Sequence, residues 1–260
     1  MNISVVVIVK DGSVHLPKFL QQLENIFENI IVLIDDRTTD QSAQIAQTYS
    51  NTEIHYFTFE GFGKAKKLAC SFAKYDWILS LDVDEFLDTQ ALHFIANHKF
   101  EQPNAVYKIC RKNYYKDQHI SGAGWKDDKP IRIFNKTHTN FAPVLVHEYI
   151  VEHTDTVVKS VEGHIKHYPY DSIFQLIQKM NFYSDLYIKQ NLNKKSSSVF
   201  KSIYKGLFAF FRDYILDKGF MFGYKGLVIS FTNASGTFYK YIKLYEAQKL
   251  QNKDGNESHK

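Results

Sequence analysis

Apolar and polar residues alternate in blocks through the first hundred positions. Ile3–Val9 is a β-branched, nearly continuous apolar run, the pattern of a strand covered on both faces in a parallel sheet. Leu16, Phe19, Leu20, Leu23 and Phe27 recur at helical spacing, which predicts a helix over residues 16–26. Residues 30–34 form a second apolar run that ends at Asp35-Asp36. Thr39 or Asp40 then caps a helix reaching about residue 49. A short strand over 54–57 precedes the breaker Gly61-Phe62-Gly63 and a helix over 64–74. A fourth strand over 77–81 ends at Asp82-Val83-Asp84-Glu85. Such alternation predicts an α/β fold with right-handed crossovers, in which ligands sit beyond the carboxyl ends of the strands. Lys10-Asp11, Asp35-Asp36 and Asp82-Val83-Asp84 are the polar groups at those ends.

The acidic cluster is the most informative of them. Asp82, Asp84, Glu85 and Asp88 crowd into seven positions directly after an apolar strand. Carboxylates so placed repel unless they share a cation, and Mg²⁺ or Mn²⁺ held by one or two carboxylates plus phosphate oxygens fits. The alternative is a solvated acidic turn leading into a helix N-terminus at Asp88-Thr89.

Charge changes the picture of the far end. The chain has 260 residues with a net charge of +4, but residues 1–188 carry −4 and residues 189–260 carry +8. Of the 40 aromatic residues, 14 lie between Phe200 and Tyr245. A helix is predicted from an Asp171 or Ser172 cap to about residue 190, then a polar linker over 191–198. Phe200, Tyr204, Phe208, Phe211 and Ile215 then follow helical spacing, with Lys201, Lys205 and Arg212 on other faces. That helix either lies on an anionic membrane surface or packs its aromatic stripe inward and leaves its lysines in solvent. The tail from residue 251 is polar and expected to be disordered. No apolar stretch is long enough for a transmembrane helix, and the first residues lack the basic start of a signal peptide. Two cysteines, without a CxxC pair, fit a reducing compartment. These features point to the cytoplasm, peripheral to the inner face of the membrane. The polarised charge and the lack of RRM, KH or OB signatures argue against a nucleic-acid partner.

The ordered segments resemble a known family. IVLIDDRTTDQSAQIA and LSLDVDEFL resemble the aspartate-pair and DxD segments of family 2 glycosyltransferases of the GT-A fold. GFGKAKKLACSFAKYDWILSLDVDE, PIRIFNK, VHE at residues 146–148, HIKHYPY, KMNFYSDLY and FFRDYILDKGFMFGYKGLVIS resemble, in order and spacing, the subgroup of lipopolysaccharide-core β-1,4-glucosyltransferases. The resemblance runs to about Glu246. It implies a Rossmann-like mixed sheet flanked by helices, with a mainly helical C-terminal lobe. Residues 1–170 would form the catalytic domain, with nucleotide-sugar binding in 1–100 and the acceptor side in 101–170. Residues 171–250 would form the basic, aromatic lobe.

The resemblance also implies roles. Asp82 and Asp84 match the DxD that binds Mg²⁺ or Mn²⁺ at the diphosphate of a UDP-sugar. Asp35 matches the aspartate that contacts the base, Val9 and Lys10 border the nucleotide, and Lys66 faces it or its phosphates. Arg37 and Lys67 depart from the usual pattern, and both add positive charge. An inverting transferase needs a group to take the acceptor hydroxyl proton. Glu148 is the expected base and His147 the orienting group or an extra metal ligand, with the reverse assignment open. Asp127-Asp128 is a lower-ranked competitor, and His164 and His167 either join the site or lie on a solvated strand edge. The implied function is transfer of a hexose, glucose from UDP-glucose, to a lipid-linked core sugar at a membrane surface. The alternatives are another acceptor (a capsule glycan or a peptide) and a non-catalytic nucleotide-binding scaffold.

Overall fold

A computed structural model describes residues 2–145 and 148–257, with side chains to residue 251. The chain divides into two compact units. One comprises Met1–Lys112 and Asp127–His167, the other Asn113–Lys126 and Tyr168–Lys260. Elements follow in the order β1 (Ile3–Val9), α1 (Leu16–Leu23), β2 (Ile30–Asp35), α2 (Ser42–Gln47), β3 (Thr52–Phe57), α3 (Phe62–Phe72), β4 (Trp77–Ser80), β5 (Glu85–Leu87) and α4 (Thr89–Asn97). Then come β6 (Ala105–Tyr115), β7 (Gln118–His119), β8 (Ile131–Asn135), β9 (Val157–Tyr170), α5 (Ile173–Asn191), α6 (Val199–Phe211) and α7 (Gly223–Glu257).

The sheet has the order β3-β2-β1-β4-β8-β6-β9-β5, with β7 paired to the end of β6. β3, β2, β1 and β4 run parallel. β8 lies antiparallel to both β4 and β6, and β5 lies antiparallel to β9. This is the mixed α/β sheet expected from the sequence. Parallel register sets Val9 beside Ile34 and Asp35 beside Phe57, so the strands deliver their carboxyl ends to one edge. β2 is buried at every residue, as its unbroken apolar run requires. β3 ends the sheet and is only partly covered.

Local chemistry explains the differences from the predicted bounds. α1 stops at Leu23, before the residue 26 expected, and the chain then turns through Asn25. α2 starts at Ser42 without a side-chain cap. Asp40 instead accepts from the backbone N–H groups of Ser13 (2.8 Å) and Ser42 (3.0 Å), which ties the loop after β1 to the loop after β2.

α3 shows how packing delivers a charge to the sheet edge. Ala65, Ala69 and Cys70 face the core with Ile31, Leu33, Ile78 and Phe134. Small residues on that face let the helix approach closely, and full burial of each large aliphatic partner contributes about 1.5–3 kcal/mol. Lys66 lies on the same buried face and is carried inside with it.

The second unit is mainly helical, as expected. Ser172 caps α5 through the N–H of Gln175 and Ser198 caps α6 through that of Lys201, at 3.2 and 3.1 Å. Its core joins Tyr115, Ile120, Ala123, Leu176 and Ile229. α7 continues to Glu257, through most of the stretch expected to be disordered, and residues 258–260 lie outside the described ones. Among the described residues, no helix is long and apolar enough to cross a membrane.

Candidate active site

The turn after β4 folds back on itself. The N–H of Glu85 donates to the carbonyl of Asp82 at 2.9 Å, and the buried Glu85 carboxylate accepts the N–H of Asp82 at 3.1 Å. β8 runs beside β4 and brings Arg132 to this turn. Its guanidinium donates to Asp82 Oδ2 at 3.1 Å and also to Glu85. Arg111 on β6 donates to Glu85 at 3.1 Å and grips both oxygens of Asp128, at 2.9 and 2.7 Å. Each buried charge thus meets an opposite one, as low-dielectric surroundings require.

Lys66 completes the chain of charges. It is 2% exposed, and its Nζ lies 2.8 Å from Asp82 Oδ1 and 2.8 Å from Glu148 Oε1. These are charge contacts rather than aligned hydrogen bonds. Burial disfavours the ammonium, but Asp82 and Glu148 outweigh burial and the nearby Arg132 and hold it above the usual lysine range. Burial likewise opposes ionisation of Asp82, yet Lys66 and Arg132 hold that carboxyl well below the usual carboxylate range. Asp128, Arg111, Glu85, Arg132, Asp82, Lys66 and Glu148 form one alternating series.

Glycines explain why Glu148 reaches Lys66. The N–H groups of Phe62 and Gly63 donate to the carbonyls of Leu145 (3.1 Å) and Val144 (3.0 Å), which straps residues 142–145 across the start of α3. A Cβ on Gly63 would stand 2.0 Å from the Ala142 carbonyl oxygen, so only glycine permits the approach. Gly61 has φ of +130°, a conformation that favours glycine. The strap ends three residues before Glu148 in sequence. Val146 and His147 lie outside the described residues, and so does the expected role of His147.

The metal assignment divides. Asp82, expected to bind the cation, has one oxygen on Lys66 and the other on Arg132, so it does not fit as a ligand. Asp84 does fit. Its Oδ1 faces His167 Nε2 at 3.7 Å, too far for a hydrogen bond and wide enough for two donors to share a cation. Among the described residues, no group of three or more His, Cys, Asp or Glu gathers for a metal.

Other expected residues stand as follows. Val9 is buried in its strand, so only its backbone is available to a nucleotide. Lys10 turns its ammonium to Asp11 at 3.5 Å. The Asp35 carboxylate is 2% exposed and taken by the backbone N–H, Nε and Nη2 of Arg37, which hold it below its usual range. The Arg37 guanidinium also lies 5.1 Å from the centre of the Phe59 ring. At the end of β2 the Arg37 guanidinium and Asp36 are therefore accessible, and the Asp35 carboxylate is not. Asp128 is occupied by Arg111 and makes a poor base. Asp88 caps α4 through Ala91 N–H and pairs with His164 Nδ1 at 2.6 Å, so that acidic residue and that histidine are structural. Arg111 and Arg132 are not singled out by sequence, and Glu85 stands there only as a member of the acidic cluster. The signal available was a lone arginine between Ile131 and Ile133, since a cation inside a buried strand needs a carboxylate.

Comparison with known proteins identifies the family. Residues 4–150, more than half of the chain, match the glycosyl transferase family 2 model. An uncharacterized glycosyltransferase of Rickettsia typhi is 27% identical over 257 residues, covering 94% of this chain and 87% of that protein. Its counterpart in Rickettsia prowazekii is 26% identical over 254 residues, covering 94% and 86%. The crystal structure of S. aureus TarS 1–349 in complex with UDP-GlcNAc aligns with a TM-score of 0.44 at 13% identity, covering 96% of this chain and 92% of that one. The chain belongs to glycosyltransferase family 2 and is a glycosyltransferase built on the GT-A fold.

Proposed function

We propose that this enzyme is an inverting, metal-assisted hexosyltransferase that moves glucose from UDP-glucose to a lipid-linked sugar of a lipopolysaccharide or lipooligosaccharide core. One observation carries the mechanism. Glu148 is held by Lys66 in the same series of charges as Asp82, beyond the carboxyl end of β4. The choice of glucose and of a core acceptor rests on the ordered segments shared with that subgroup.

In this reading, Glu148 takes the proton of the acceptor hydroxyl as the oxygen attacks C1 of the donor sugar. Lys66 and Arg132 place two cations beside the departing diphosphate, in a site with little water to screen them. Asp84 and His167 would hold a divalent cation, whose chemistry is to stabilise charge on the leaving nucleoside diphosphate. A mixed oxygen and nitrogen pair favours Mn²⁺ over Mg²⁺, which prefers oxygen ligands. Arg37, anchored by Asp35, faces the base.

The test is a donor screen with UDP-glucose, UDP-galactose, UDP-GlcNAc and GDP-mannose in the presence of Mn²⁺, followed by mass analysis and anomer assignment of lipid-linked products. Glucose transfer with inverted configuration, slowed at least about 100-fold in Glu148→Gln, is the expected result. Retained configuration, or wild-type turnover in Glu148→Gln, overturns the mechanism. Transfer only from another donor overturns the assigned sugar.

A further inference from the structure

α6 is packed against expectation for a helix rich in large apolar residues. Its buried positions are Ser202, Gly206 and Ala209, and a Cβ on Gly206 would lie 3.0 Å from Phe238 Cβ on α7. Small residues thus form the contact with α7, as in helix pairs that sit among lipids. The large residues point outward. Phe200, Tyr204, Leu207 and Phe211 recur at i, i+4, i+7 and i+11 and are all exposed, Phe200 at 80% and Leu207 at 69%. Leu216 and Met221 in the connection, and Leu227 and Phe231 on α7, are exposed as well. Water-facing surfaces of single proteins rarely gather so many large apolar groups.

The charges around this surface have one sign. Between Val199 and Phe231 the acidic residues are Asp213 and Asp217. Asp213 is fully buried, pairs with Arg212 and accepts from Asn233, while Asp217 is largely covered and pairs with Lys126. Lys205, Arg212 and Lys218 are exposed. A second copy of the chain would bring the same cations face to face. Anionic headgroups complement them, and acyl chains complement the apolar residues between them.

We propose that the hairpin of α6 and the start of α7 is a bilayer-docking surface. It sets its exposed apolar residues at the acyl boundary of an anionic membrane and Lys205, Arg212 and Lys218 at the phosphates. With no helix able to cross a membrane among the described residues, the hairpin lies in the interface rather than through it. The inference deepens the proposed membrane-bound acceptor and rests on that reading for the reason to meet a bilayer.

The test is flotation of the full chain with neutral phosphatidylcholine vesicles and with vesicles containing phosphatidylglycerol, without sugar nucleotide. Binding to the anionic vesicles, weakened by salt, is expected. Leu207→Glu with Phe231→Glu should reduce it at least tenfold, and Lys205→Gln with Lys218→Gln roughly 30-fold. Because these positions are exposed, the thermal midpoint and donor hydrolysis should stay unchanged. The surface is overturned by equal binding to both vesicle types, by no flotation, or by variants that float like wild type. It is also overturned by a dimer that dissociates in Leu207→Glu with Phe231→Glu, which would make a second copy the occupant. A protein that floats but transfers no sugar keeps the surface and overturns the function. One that glycosylates a soluble acceptor but does not float does the reverse.

Discussion

Lys66 Nζ stands 2.8 Å from Glu148 Oε1, joining the buried face of α3 to a loop far along the chain. The same ammonium contacts Asp82. Lys66→Met would leave two carboxylates facing each other without their shared cation. Breaking one side of a buried ion pair costs about 3–5 kcal/mol. A urea midpoint shift of that size, with loss of transfer, is expected. A variant as stable as wild type would show that the contact is incidental.

Glu148→Gln separates structure from chemistry at the same contact. Asp82 still pairs with Lys66, and the amide oxygen keeps the shape of the carboxylate. The proposed proton acceptor is gone. Turnover should fall about 10²–10⁴-fold with little change in donor KM or in thermal midpoint. A fall in KM-dependent binding alone would place Glu148 on the donor rather than at the acceptor hydroxyl.

The two aspartates of the DxD segment should behave differently. Asp82→Ala removes the partner of both Lys66 and Arg132, and should cost about 3 kcal/mol of stability, the lower end because Asp82 is partly exposed. Asp84→Ala should raise the Mn²⁺ concentration needed for half-maximal transfer at least tenfold. His167→Ala should give the same metal response. Equal metal dependence in all three variants would contradict the division of roles.

These contrasts show what the residue pattern could and could not convey. The β-branched run of Ile3–Val9 and the acidic turn after Trp77–Ser80 follow from local spacing, and both are where the sequence places them. The partners of Asp82 come from α3 and β8, and no local pattern specifies which cation reaches which oxygen. Arg37 shows the same limit. It reads as an extra positive charge near a diphosphate, whereas geometry makes it the bidentate partner that covers Asp35. Periodicity found the aromatic stripe of α6 but is silent on which side of a helix faces its neighbour. Here the small residues face inward.

Asp35 adds an acid-sensitive term. Its side chain is held below the usual carboxylate range by Arg37, so the folded state binds fewer protons than the unfolded state near pH 4. Its contribution is full above the unfolded value of about 3.9 and is lost as pH falls further. Arg37 is more than half exposed, so solvent limits the term to about 1 kcal/mol. Asp35→Asn should therefore lower the urea midpoint more at pH 7 than at pH 3, the difference shrinking as pH falls through the lowered value of Asp35. A constant difference across that range would assign the loss to packing instead.

Gly63→Ala tests the strap that leads to Glu148. The added methyl would press on the Ala142 carbonyl and on the Val144 nitrogen, at 2.0 and 2.8 Å. Backbone must move, at a cost of about 1–3 kcal/mol. Moving the strap also moves Glu148, and an ångström at a catalytic group costs about 10²-fold in rate. Loss of turnover larger than the loss of folded protein is the expected signature. If activity simply tracks the folded fraction, the strap serves stability alone.

Cys70 reports whether α3 stays seated while Lys66 is in place. It lies one helical turn beyond Lys66, fully buried, and burial pushes its thiol up to about 12. At pH 8 only about 10⁻⁴ of such thiols are ionised, and alkylation needs the thiolate. Cys110 is half-buried and is the one reached first. Native protein treated with iodoacetamide should take up one label, at Cys110, while Cys70 reacts only on unfolding. Lys66→Met loosens the charges that hold α3 against the strap, so Cys70 should then label under native conditions, and adding urea below the midpoint should speed it further. Rapid labelling of Cys70 in the wild-type protein would mean that α3 opens readily, and that Lys66 is not held between Asp82 and Glu148 for long enough to order the site.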